Sequence, residues 1–506
     1  MRIVFLLRHA LYLRHFESVL RTLAARGHQI TLVFTPFPRY VDYALRDSLI
    51  KDYPNIVEEP IAPRTGWWWP VSDGARTLRD FVRYLNPVFD NAPSLVERGG
   101  SRLPSAVRWL ITLLPRKFVY PSLSTLLRII ERAIPPDQSV LSALRRWSPD
   151  LLIVSPMLDF TYGQTDYIKA ARHLGIRTVL AVASWDNLTN KGVVQAVPDR
   201  VILWNAIQKH EAINLHNIEA ERIRVTGAQL YDQWFDMAPS VDREAFCAKA
   251  GGLDPSKPII LYLCSSSFIC GNEVSFVEEW LSDLRRSKQL SVAQANVIVR
   301  PHPTHSAQWE DVDFSIYDRA VIWPRNFGMP IDDERKHCYY NSIYHAGAVV
   351  GINTSGFIEA GILGKSTLTL ATDHFKRTQE GTLHFHYLTE GGLLKVAHSF
   401  EEHAEQLSEA LTNPAETQDR LKRFIASFVR PRGLKRPATE AFVEEVEAAH
   451  ELKPQPWLTP AYAPFVRAAI LPAAVFVRSK VLERINPGMP DGIERTTYKV
   501  EPSIAR

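Results

Sequence analysis

The sequence is poor in cysteine and in net charge. Four cysteines occur among 506 residues, and none of them forms a CxxC pair, so a disulfide scaffold is not expected and no ligand pattern for zinc is present. The 59 lysines and arginines nearly balance the 55 aspartates and glutamates, which leaves a formal net charge of +4. Such a balance gives no argument for nucleic-acid binding by the whole chain.

Long apolar runs are also missing. No run reaches the ~18 residues that a membrane-spanning helix needs. Residues 3–7 form a run of five apolar residues without a small-residue cleavage site after it, which is not the pattern of a secretory signal peptide. We therefore expect a cytoplasmic protein whose cysteines stay reduced.

The sequence does contain the alternation of short apolar runs and amphipathic segments that is typical of α/β domains. Its 46% hydrophobic and 23% charged residues indicate a globular protein large enough for two domains. Residues 2–7 and 29–34 are predicted to be buried strands. Between them, residues 12–26 are predicted to form a helix closed by Gly27. This order begins a doubly wound parallel sheet.

The alternation continues through two halves, separated by a polar segment at 236–257 that is predicted to be a linker with a short helix. The later predicted strands are short, apolar and bounded by Pro, Gly, Asp or Asn. They are 151–154, 178–182, 201–204 and 224–227 in the first half, and 259–263, 297–299, 320–323, 348–351 and 367–370 in the second.

The predicted fold class is therefore α/β, with two Rossmann-like doubly wound domains that face each other across a cleft. The first domain is assigned to 1–235, with a helical, basic insert at about 60–150. The second is assigned to 236–450. A C-terminal extension, 451–506, either packs back on the protein or associates with a membrane.

One turn of the second half suits a phosphate group. It follows the predicted strand at 348–351 and precedes a helix, where small and hydroxyl residues leave backbone N–H groups available to an anion. Glu359, about one helical turn later, could accept hydrogen bonds from the two hydroxyls of a ribose. An ordinary capped helix is the alternative. The residues of the turn are Asn353, Thr354, Ser355 and Gly356.

Three serines after the strand at 259–263 form a second loop of this kind. The hydroxyl and N–H groups of Ser265, Ser266 and Ser267 predict an anion cradle, although serine runs are also common in ordinary turns.

Arg300 and His302 follow the strand at 297–299 and form a third loop. Arg300 is suited to bidentate contact with a pyrophosphate, and prolines on both sides of His302 fix the direction of its imidazole. A rigid surface turn is the alternative. Three anion-suited loops at the strand ends of one sheet are more persuasive than any one of them.

The run from Tyr340 through Asn353, Ser355 and Glu359 to Lys365 resembles the donor-site signature of GT-B glycosyltransferases. It is also similar to the nonhydrolysing UDP-N-acetylglucosamine epimerases and the CDP-glycerol glycerophosphotransferases. The resemblance implies that the turn holds the phosphate of a nucleotide-sugar donor and that Glu359 holds its ribose.

The resemblance does not assign a catalytic base. In several GT-B families a Gly-His pair opens the first helix and the histidine is the base, but Tyr12 takes that place here, and His9 and His15 are displaced. A base taking a proton from an acceptor hydroxyl should come from the first half of the chain. Strand ends of that half supply the candidates, which are Asp186, Asp159 and His9.

Asp186 is preferred because it directly follows the predicted strand at 178–182, beside Trp185, whose ring could stack on a sugar. A turn cap at Asp186 with Trp185 as packing is the alternative. Glu380, after the strand at 367–370, is a candidate contact to the donor sugar, with a solvated loop as its alternative. The motif Asp311-Val312-Asp313 is interpreted as a solvated charge run, so no metal and no cofactor besides the donor is expected.

Two basic, apolar segments predict contact with an anionic membrane. Residues 101–134 carry six lysines and arginines against one acid, Glu131, among Trp, Leu, Ile and Phe residues, and residues 461–484 are similar. Such segments can lie on the inner face of the cell membrane, close to a lipid-linked acceptor. Amphipathic helices packed on their own domain are the alternative.

The expected function is transfer of a sugar from a nucleotide sugar to the hydroxyl of a saccharide or lipid-linked saccharide, in surface polysaccharide or glycolipid synthesis. A nucleotide-sugar epimerase, a CDP-alditol phosphotransferase and a noncatalytic nucleotide-binding scaffold are the alternatives. The long insert favours a transferase, because an epimerase needs no acceptor surface.

Overall fold

The computed structural model describes residues 1–36, 42–158 and 162–485. Within these residues the N-terminal sheet has seven parallel strands in the order β3-β2-β1-β4-β5-β6-β7. Its central strands are mostly apolar and buried, as expected where helices cover both faces of a sheet. The strands are β1 (Arg2–Leu7), β2 (Gln29–Phe34), β3 (Ile56–Glu58), β4 (Leu151–Ser155), β5 (Arg177–Ala181), β6 (Arg200–Leu203) and β7 (Ile223–Val225).

Helices of this domain fall into a covering layer and an insert. A 3-10 helix at Ala10–His15 follows β1 directly. The covering helices begin with α1 (Glu17–Ala25) and α2 (Ala44–Asp52). The insert consists of α3 (Trp69–Arg83), α4 (Pro93–Gly100), α5 (Ser105–Thr112), α6 (Arg116–Ala133) and α7 (Gln138–Trp147), and the chain then continues through α8 (Gly163–His173), α9 (Asn187–Asn190), α10 (Ala206–His216) and α11 (Asp232–Asp236).

The C-terminal sheet has six parallel strands in the described part of the chain, in the order β10-β9-β8-β11-β12-β13. They are β8 (Ile259–Leu263), β9 (Asn296–Arg300), β10 (Ala320–Ile322), β11 (Ala348–Gly351), β12 (Ser366–Leu370) and β13 (Leu394–Ala397). The helices of this half are α12 (Arg243–Lys249), α13 (Val274–Arg286), α14 (Leu290–Ala293), α15 (Asp333–Tyr344), α16 (Gly356–Ile362), α17 (Leu383–Glu390), α18 (Phe400–Thr412) and α19 (Gln418–Phe428), followed by α20 (Ala438–Ala449) and α21 (Ala463–Ile485). The α/β fold with two Rossmann-like domains is confirmed.

The chain crosses between the domains twice. The first crossing leads through α11 into the second domain, and after α19 the chain returns to the first domain, where α20 packs on α1. Phe442, Val443 and Val446 of α20 are buried in the apolar cluster that also contains Ile3 and Leu20. The assignment of 236–450 to the second domain therefore differs from the arrangement in space, because α20 buries its apolar face against the first domain.

A buried cluster of charges fastens the insert to the first domain. Arg76 of α3 contacts Glu131 of α6 at 2.8 Å and Asp166 of α8 at 2.6 Å. Lys169 of α8 contacts the same Glu131 at 2.8 Å. Burial would raise the pKa of Glu131, but Arg76 and Lys169 outweigh it and lower the pKa to about 2. The insert is thus bound to the domain by compensated charges as well as by apolar packing.

The described part of the C-terminal extension packs back on the insert. Helix α21 lies against α6 and α3, and the indole of Trp457 is buried in the core of the first domain. Among the described residues, no helix is both long and apolar enough to cross a bilayer. Residues 486–506 of the assigned extension lie outside the described residues.

Replacement of Asp232 by alanine is expected to lower the free energy of unfolding by about 3–5 kcal/mol, because it leaves the buried Arg430 charge uncompensated. The Asp232 carboxylate accepts hydrogen bonds from Nη2 of Arg430 at 2.7 Å and from the backbone N–H groups of Ala438 and Thr439 at 3.0 and 2.7 Å. Urea denaturation measures the change. Asp236→Ala, an exposed position of the same helix, should stay within about 0.5 kcal/mol of the wild type, and equal losses in the two variants would contradict the role of Asp232.

Candidate functional site

The carboxyl ends of the two sheets face each other, and two connected cavities lie between them. The first, the Glu359 cavity, is lined by Arg14, His15 and Ser184 of the first domain and by Tyr339, Ser355 and Glu359 of the second, with Tyr231 and Trp234 from the first crossing. The second, the Asp186 cavity, is lined by Ser184, Trp185, Asp186, Asn190, Ser266, His302, Asn353, Thr354, Ser355 and His384. Ser184 and Ser355 belong to both cavities, so one continuous cleft carries both.

The turn between β11 and α16 approaches β8 so closely that a Cβ at either end would clash with neighbouring atoms. A Cβ on Gly356 would lie 2.5 Å from Cδ1 of Leu263 and 2.8 Å from the hydroxyl of Tyr339. A Cβ on Gly351 would lie 2.8 Å from the carbonyl oxygen of Leu263. The glycines therefore seat the turn at the edge of the sheet, where its side chains reach the cleft.

Side chains within the turn have different tasks. The Thr354 hydroxyl accepts a hydrogen bond from the N–H of Gly356 at 3.2 Å, which orders the start of α16. Asn353 Nδ2 donates to the carbonyl of Thr378 at 2.7 Å and so holds the loop after β12. Ser355 is exposed and stands between the two cavities. The turn therefore lies in the cleft between the two domains.

Glu359 has a perturbed carboxyl group. Tyr339 donates a hydrogen bond to Oε2 of Glu359 at 2.8 Å, and the Tyr339 ring is itself held edge-on by Trp234, with ring centroids 5.5 Å apart. Burial raises the pKa of Glu359 to about 7, against the opposing effects of Tyr339 and Arg14. The second carboxyl oxygen can therefore accept from a ligand hydroxyl, more strongly when Glu359 is ionised.

Arg14 and His15 come from the 3-10 helix after β1 and bring positive charge and an imidazole into the Glu359 cavity. Arg14 contacts the sulfur of Met329 at 3.8 Å and Nε2 of His15 at 3.4 Å. Burial and Arg14 hold the pKa of His15 well below its usual value, and Asp186 opposes them. Among the described residues, Nδ1 of His15 has no hydrogen-bond partner. This side chain is thus a neutral imidazole inside the cleft.

Asp186 and His384 come from opposite domains and meet in the Asp186 cavity. The carboxylate of Asp186 accepts from Nδ2 of Asn190 at 3.1 Å. Burial would raise the pKa of Asp186, but Lys191 and His384 among others outweigh it, so the pKa is lowered. His384 stands edge-on to Trp185, with ring centroids 4.9 Å apart, and its Nδ1 lacks a partner within the described part of the chain.

This pair suits proton transfer. An ionised carboxylate stabilises the positive charge that forms when a neighbouring imidazole takes up a proton. In His384 burial lowers the pKa and Asp186 opposes that effect, so the imidazole is neutral and able to accept. The ring of Trp185 is 6% exposed, which makes it chiefly a packing residue for His384 rather than an open stacking platform.

The serine loop after β8 is held by a buried carboxyl group. The N–H of Ser265 donates to Oε2 of Glu273 at 2.8 Å, and the hydroxyl of Tyr262 donates to Oε1 at 2.9 Å. Of the three serines, Ser266 lines the Asp186 cavity, Ser265 is buried and Ser267 is exposed. Glu273 therefore positions the loop, and Ser266 is the member that a ligand in the cavity would meet.

His302 lines the Asp186 cavity, whereas Arg300 is turned to α15. Nδ1 of His302 accepts from the N–H of Thr304 at 3.2 Å, which assigns the proton of the neutral ring to Nε2. Burial, with Arg14 adding to it, lowers the pKa of His302 to about 4. Arg300 donates to the hydroxyl of Ser342 at 2.9 Å and lies over the ring of Tyr339 at 5.1 Å. Arg300 thus supports Tyr339, which donates the hydrogen bond to Glu359.

Glu380 lies apart from the two cleft cavities. It lines a third cavity with Asp373, Lys376 and His398. His9 stands edge-on to Tyr12 at 4.9 Å, and burial and Arg8 lower its pKa to about 4. Within the described residues the cleft is lined by His15 instead of His9. Asp159 lies outside the described residues.

Reasoning from strand ends misses several residues of the cleft. Arg14, Tyr339 and Lys336 line the Glu359 cavity but lie on helices, and a strand-end rule does not reach them. Lys336 of α15 pairs with Glu17 of α1 across the cleft at 2.9 Å, and no local sequence pattern signals this contact between distant residues. The sequence does not single out His384, because its contact with Trp185 of the other domain leaves no pattern in the sequence.

Comparison with solved structures finds the same fold. The UDP-GlcNAc 2-epimerase from Neisseria meningitidis, solved with UDP-GlcNAc, has a TM-score of 0.51 at 11% identity and covers 88% of this chain and 100% of its own. A putative UDP-N-acetylglucosamine 2-epimerase from Listeria monocytogenes has a TM-score of 0.51 at 12% identity, with coverages of 90% and 98%. A glycosyltransferase from Rickettsia africae has a TM-score of 0.50 at 11% identity, with coverages of 89% and 98%.

The predicted GT-B glycosyltransferase-like fold is therefore confirmed. No model of a protein family matches the sequence, and no match is found among curated proteins.

The pH dependence of stability is expected to report the protonation of Glu359. Its pKa is 4.5 when unfolded and about 7 when folded, so the folded state keeps a proton that the unfolded state loses. Stability should fall as pH rises through this interval, by up to about 3 kcal/mol, and level off above it. Urea denaturation at several pH values between about 5 and 8 should show a weaker dependence for Glu359→Gln. Glu334→Gln, at an exposed position of α15, is the matched control, and a wild-type slope in Glu359→Gln would rule out the raised pKa.

Proposed function

We propose that the protein is a glycosyltransferase that moves a sugar from a nucleotide sugar to a hydroxyl group of an acceptor. The observation that carries the proposal is the position of the turn at 353–356 between the Glu359 cavity and the Asp186 cavity. A nucleotide sugar has the same order of parts, with the ribose and the sugar on opposite sides of the diphosphate.

The donor is proposed to lie along the cleft in that order. Glu359 accepts from the ribose hydroxyls, and Tyr231 and Trp234 supply aromatic surface on the same side. The diphosphate lies at the turn beside Ser355, with the positive charge of Arg14 nearby. The sugar then occupies the Asp186 cavity, where Ser266 and the Nε2–H of His302 are available to it and to the departing phosphate oxygen.

The transfer itself needs one proton acceptor. The acceptor oxygen forms a bond to the anomeric carbon, the bond from that carbon to the diphosphate oxygen breaks, and the nucleoside diphosphate leaves with the electron pair. The proton of the acceptor hydroxyl moves to His384. Asp186, whose lowered pKa makes it a weak base, stabilises the imidazolium that forms. This changes the role foreseen for Asp186 from the base to the partner of the base.

Epimerisation of a nucleotide sugar is the second candidate. Two of the similar solved structures are described as UDP-GlcNAc 2-epimerases or putative ones, and the same cleft could serve that reaction. The insert at α3–α7 favours transfer, because it adds surface beside the first domain that epimerisation does not use. Neither reaction is proposed to need a metal ion, because Arg14, His302 and the N–H groups of the turn supply the positive potential at the phosphates.

The enzyme is also proposed to work in the cytoplasm, at the anionic inner face of the cell membrane and on a saccharide or lipid-linked acceptor. Two helices that pack on the α3–α6 pair expose large apolar side chains, among them Trp109 of α5 at 64% and Phe465 and Phe476 of α21 at 78% and 65%. Arg108 and Arg478 lie on the same helices. Exposed aromatic residues flanked by arginine match the requirements of an anionic bilayer surface.

The reaction is tested first by finding the donor and then by removing the proposed proton acceptor. In a thermal-shift panel of UDP, GDP, CDP, CMP and TDP, one nucleotide should raise the melting temperature. With the corresponding nucleotide sugars and candidate acceptors, His384→Gln and Asp186→Asn are each expected to lower kcat by at least about 100-fold with little change in donor KM. His386→Gln, a half-exposed histidine of the same helix, should retain wild-type kcat.

Several outcomes distinguish between the candidate functions. Release of an epimeric nucleotide sugar without any acceptor would favour the epimerase, and transfer of an alditol phosphate from a CDP-alditol would favour the phosphotransferase. Nucleotide binding without turnover of any donor would favour the noncatalytic nucleotide-binding scaffold. Unchanged kcat in both variants would contradict the roles of His384 and Asp186, and loss of activity on metal chelation would contradict metal-independent transfer.

Membrane attachment is expected to depend on the exposed aromatic residues. The double variant Phe465→Ser/Phe476→Ser should bind vesicles that contain phosphatidylglycerol at least about tenfold more weakly than the wild type, because two apolar side chains no longer enter the interface. Co-sedimentation measures this. Leu290→Ser/Ile316→Ser, at exposed positions of the second domain, is the matched control. Equal binding by both variants, or wild-type chains that stay in the supernatant, would contradict the proposal.

A further inference from the structure

A cavity lined by arginines lies between the insert and the first domain. Its volume is about 420 Å³, and it is bordered by α6 of the insert, by the end of α10 and by residues 455–462 of the extension. None of the residues that line it belongs to the two cleft cavities. Five arginines contribute to its lining, namely Arg79, Arg128, Arg132, Arg172 and Arg222.

The positive charge of this cavity is not balanced by the acids around it. Glu131 and Glu219 are the carboxylates in the lining. Glu131 is already paired with Arg76 and Lys169 behind the cavity wall, and Glu219 is paired with Arg222. Four of the five arginines therefore have no carboxylate within ion-pair distance among the described residues, although they lie close enough to repel one another.

Arg79 is the one buried arginine among the five. Its side chain is 5% exposed and donates through Nη1 to the carbonyl and Oε1 of Gln195 at 3.1 and 3.0 Å. Its Nε has no partner within the described part of the chain. A buried guanidinium bonded only to neutral acceptors is costly, and burial together with Arg128 lowers the pKa of Arg79 to about 10 against the effect of Glu131.

We propose that this cavity binds the phosphate or diphosphate group of a second ligand, separate from the donor in the cleft. Guanidinium groups bind phosphate oxygens through pairs of parallel hydrogen bonds. Arg128 and Arg132 are both exposed and lie one helical turn apart on α6, so they can contact a phosphate that also binds the buried Arg79. The phosphate group belongs either to a soluble ester or to a lipid headgroup. A lipid headgroup fits because the cavity lies beside the helix proposed to face the membrane: Tyr462 lines the cavity and directly precedes α21, which has exposed apolar side chains.

Calorimetric titration with inorganic pyrophosphate tests the proposal. The wild type is expected to bind at two sites, this cavity and the cleft, and Arg128→Gln/Arg132→Gln to lose one of them, with at least about tenfold weaker binding there. Both positions are exposed, so the fold should be kept. Arg145→Gln/Arg423→Gln removes two exposed arginines elsewhere and should behave as the wild type.

The outcomes separate this proposal from the proposed function. If the cleft does not bind diphosphate, the wild type shows one site and Arg128→Gln/Arg132→Gln shows none. Equal stoichiometry and affinity in the wild type and Arg128→Gln/Arg132→Gln would overturn the proposal. Competition by vesicles of phosphatidic acid in phosphatidylcholine, compared with phosphatidylcholine alone, would assign the cavity to a lipid headgroup, and absence of competition would assign it to a soluble phosphate ester.

Discussion

The carboxylate of Asp232 sets how the two domains face each other. It lies where the chain leaves the first domain, and it accepts hydrogen bonds from Arg430 and from the start of α20, where the chain returns. Both crossings are therefore tied to one buried side chain. The Glu359 cavity depends on this arrangement, because it takes its lining from both domains and from the first crossing itself.

Within that cleft, the pKa values of two carboxyl groups are shifted in opposite directions. Burial beside Tyr339 raises the pKa of Glu359 to about 7, whereas Lys191 and His384 more than offset burial at Asp186 and lower its pKa. Groups whose environments separate their pKa values in this way commonly have different tasks in one reaction. Here Glu359, with the raised pKa, lies on the side proposed for the ribose. Asp186, which is ionised, lies beside the imidazole of His384.

The fold could be predicted because buried parallel strands are apolar runs with sharp ends, and β8 and β11 begin and end at the residues expected. The missed strands, β3 and β13, are short edge strands in which Glu58 and Lys395 break the apolar pattern. Strand ends also brought Asp186, Ser266, His302 and the 353–356 turn into one cleft. The direction of Arg300 and the partnership of His384 could not be predicted, because both depend on which neighbours pack beside them after folding.

The insert is chemically part of the first domain, even though the sheet would be complete without it. Asp166 and Lys169 of α8 belong to the domain, but their charges are neutralised by Arg76 and Glu131 of the insert. Excising the segment would uncover the charged face of α8, and grafting it onto a protein that has apolar residues at these positions would bury Arg76 and Glu131 without Asp166 and Lys169.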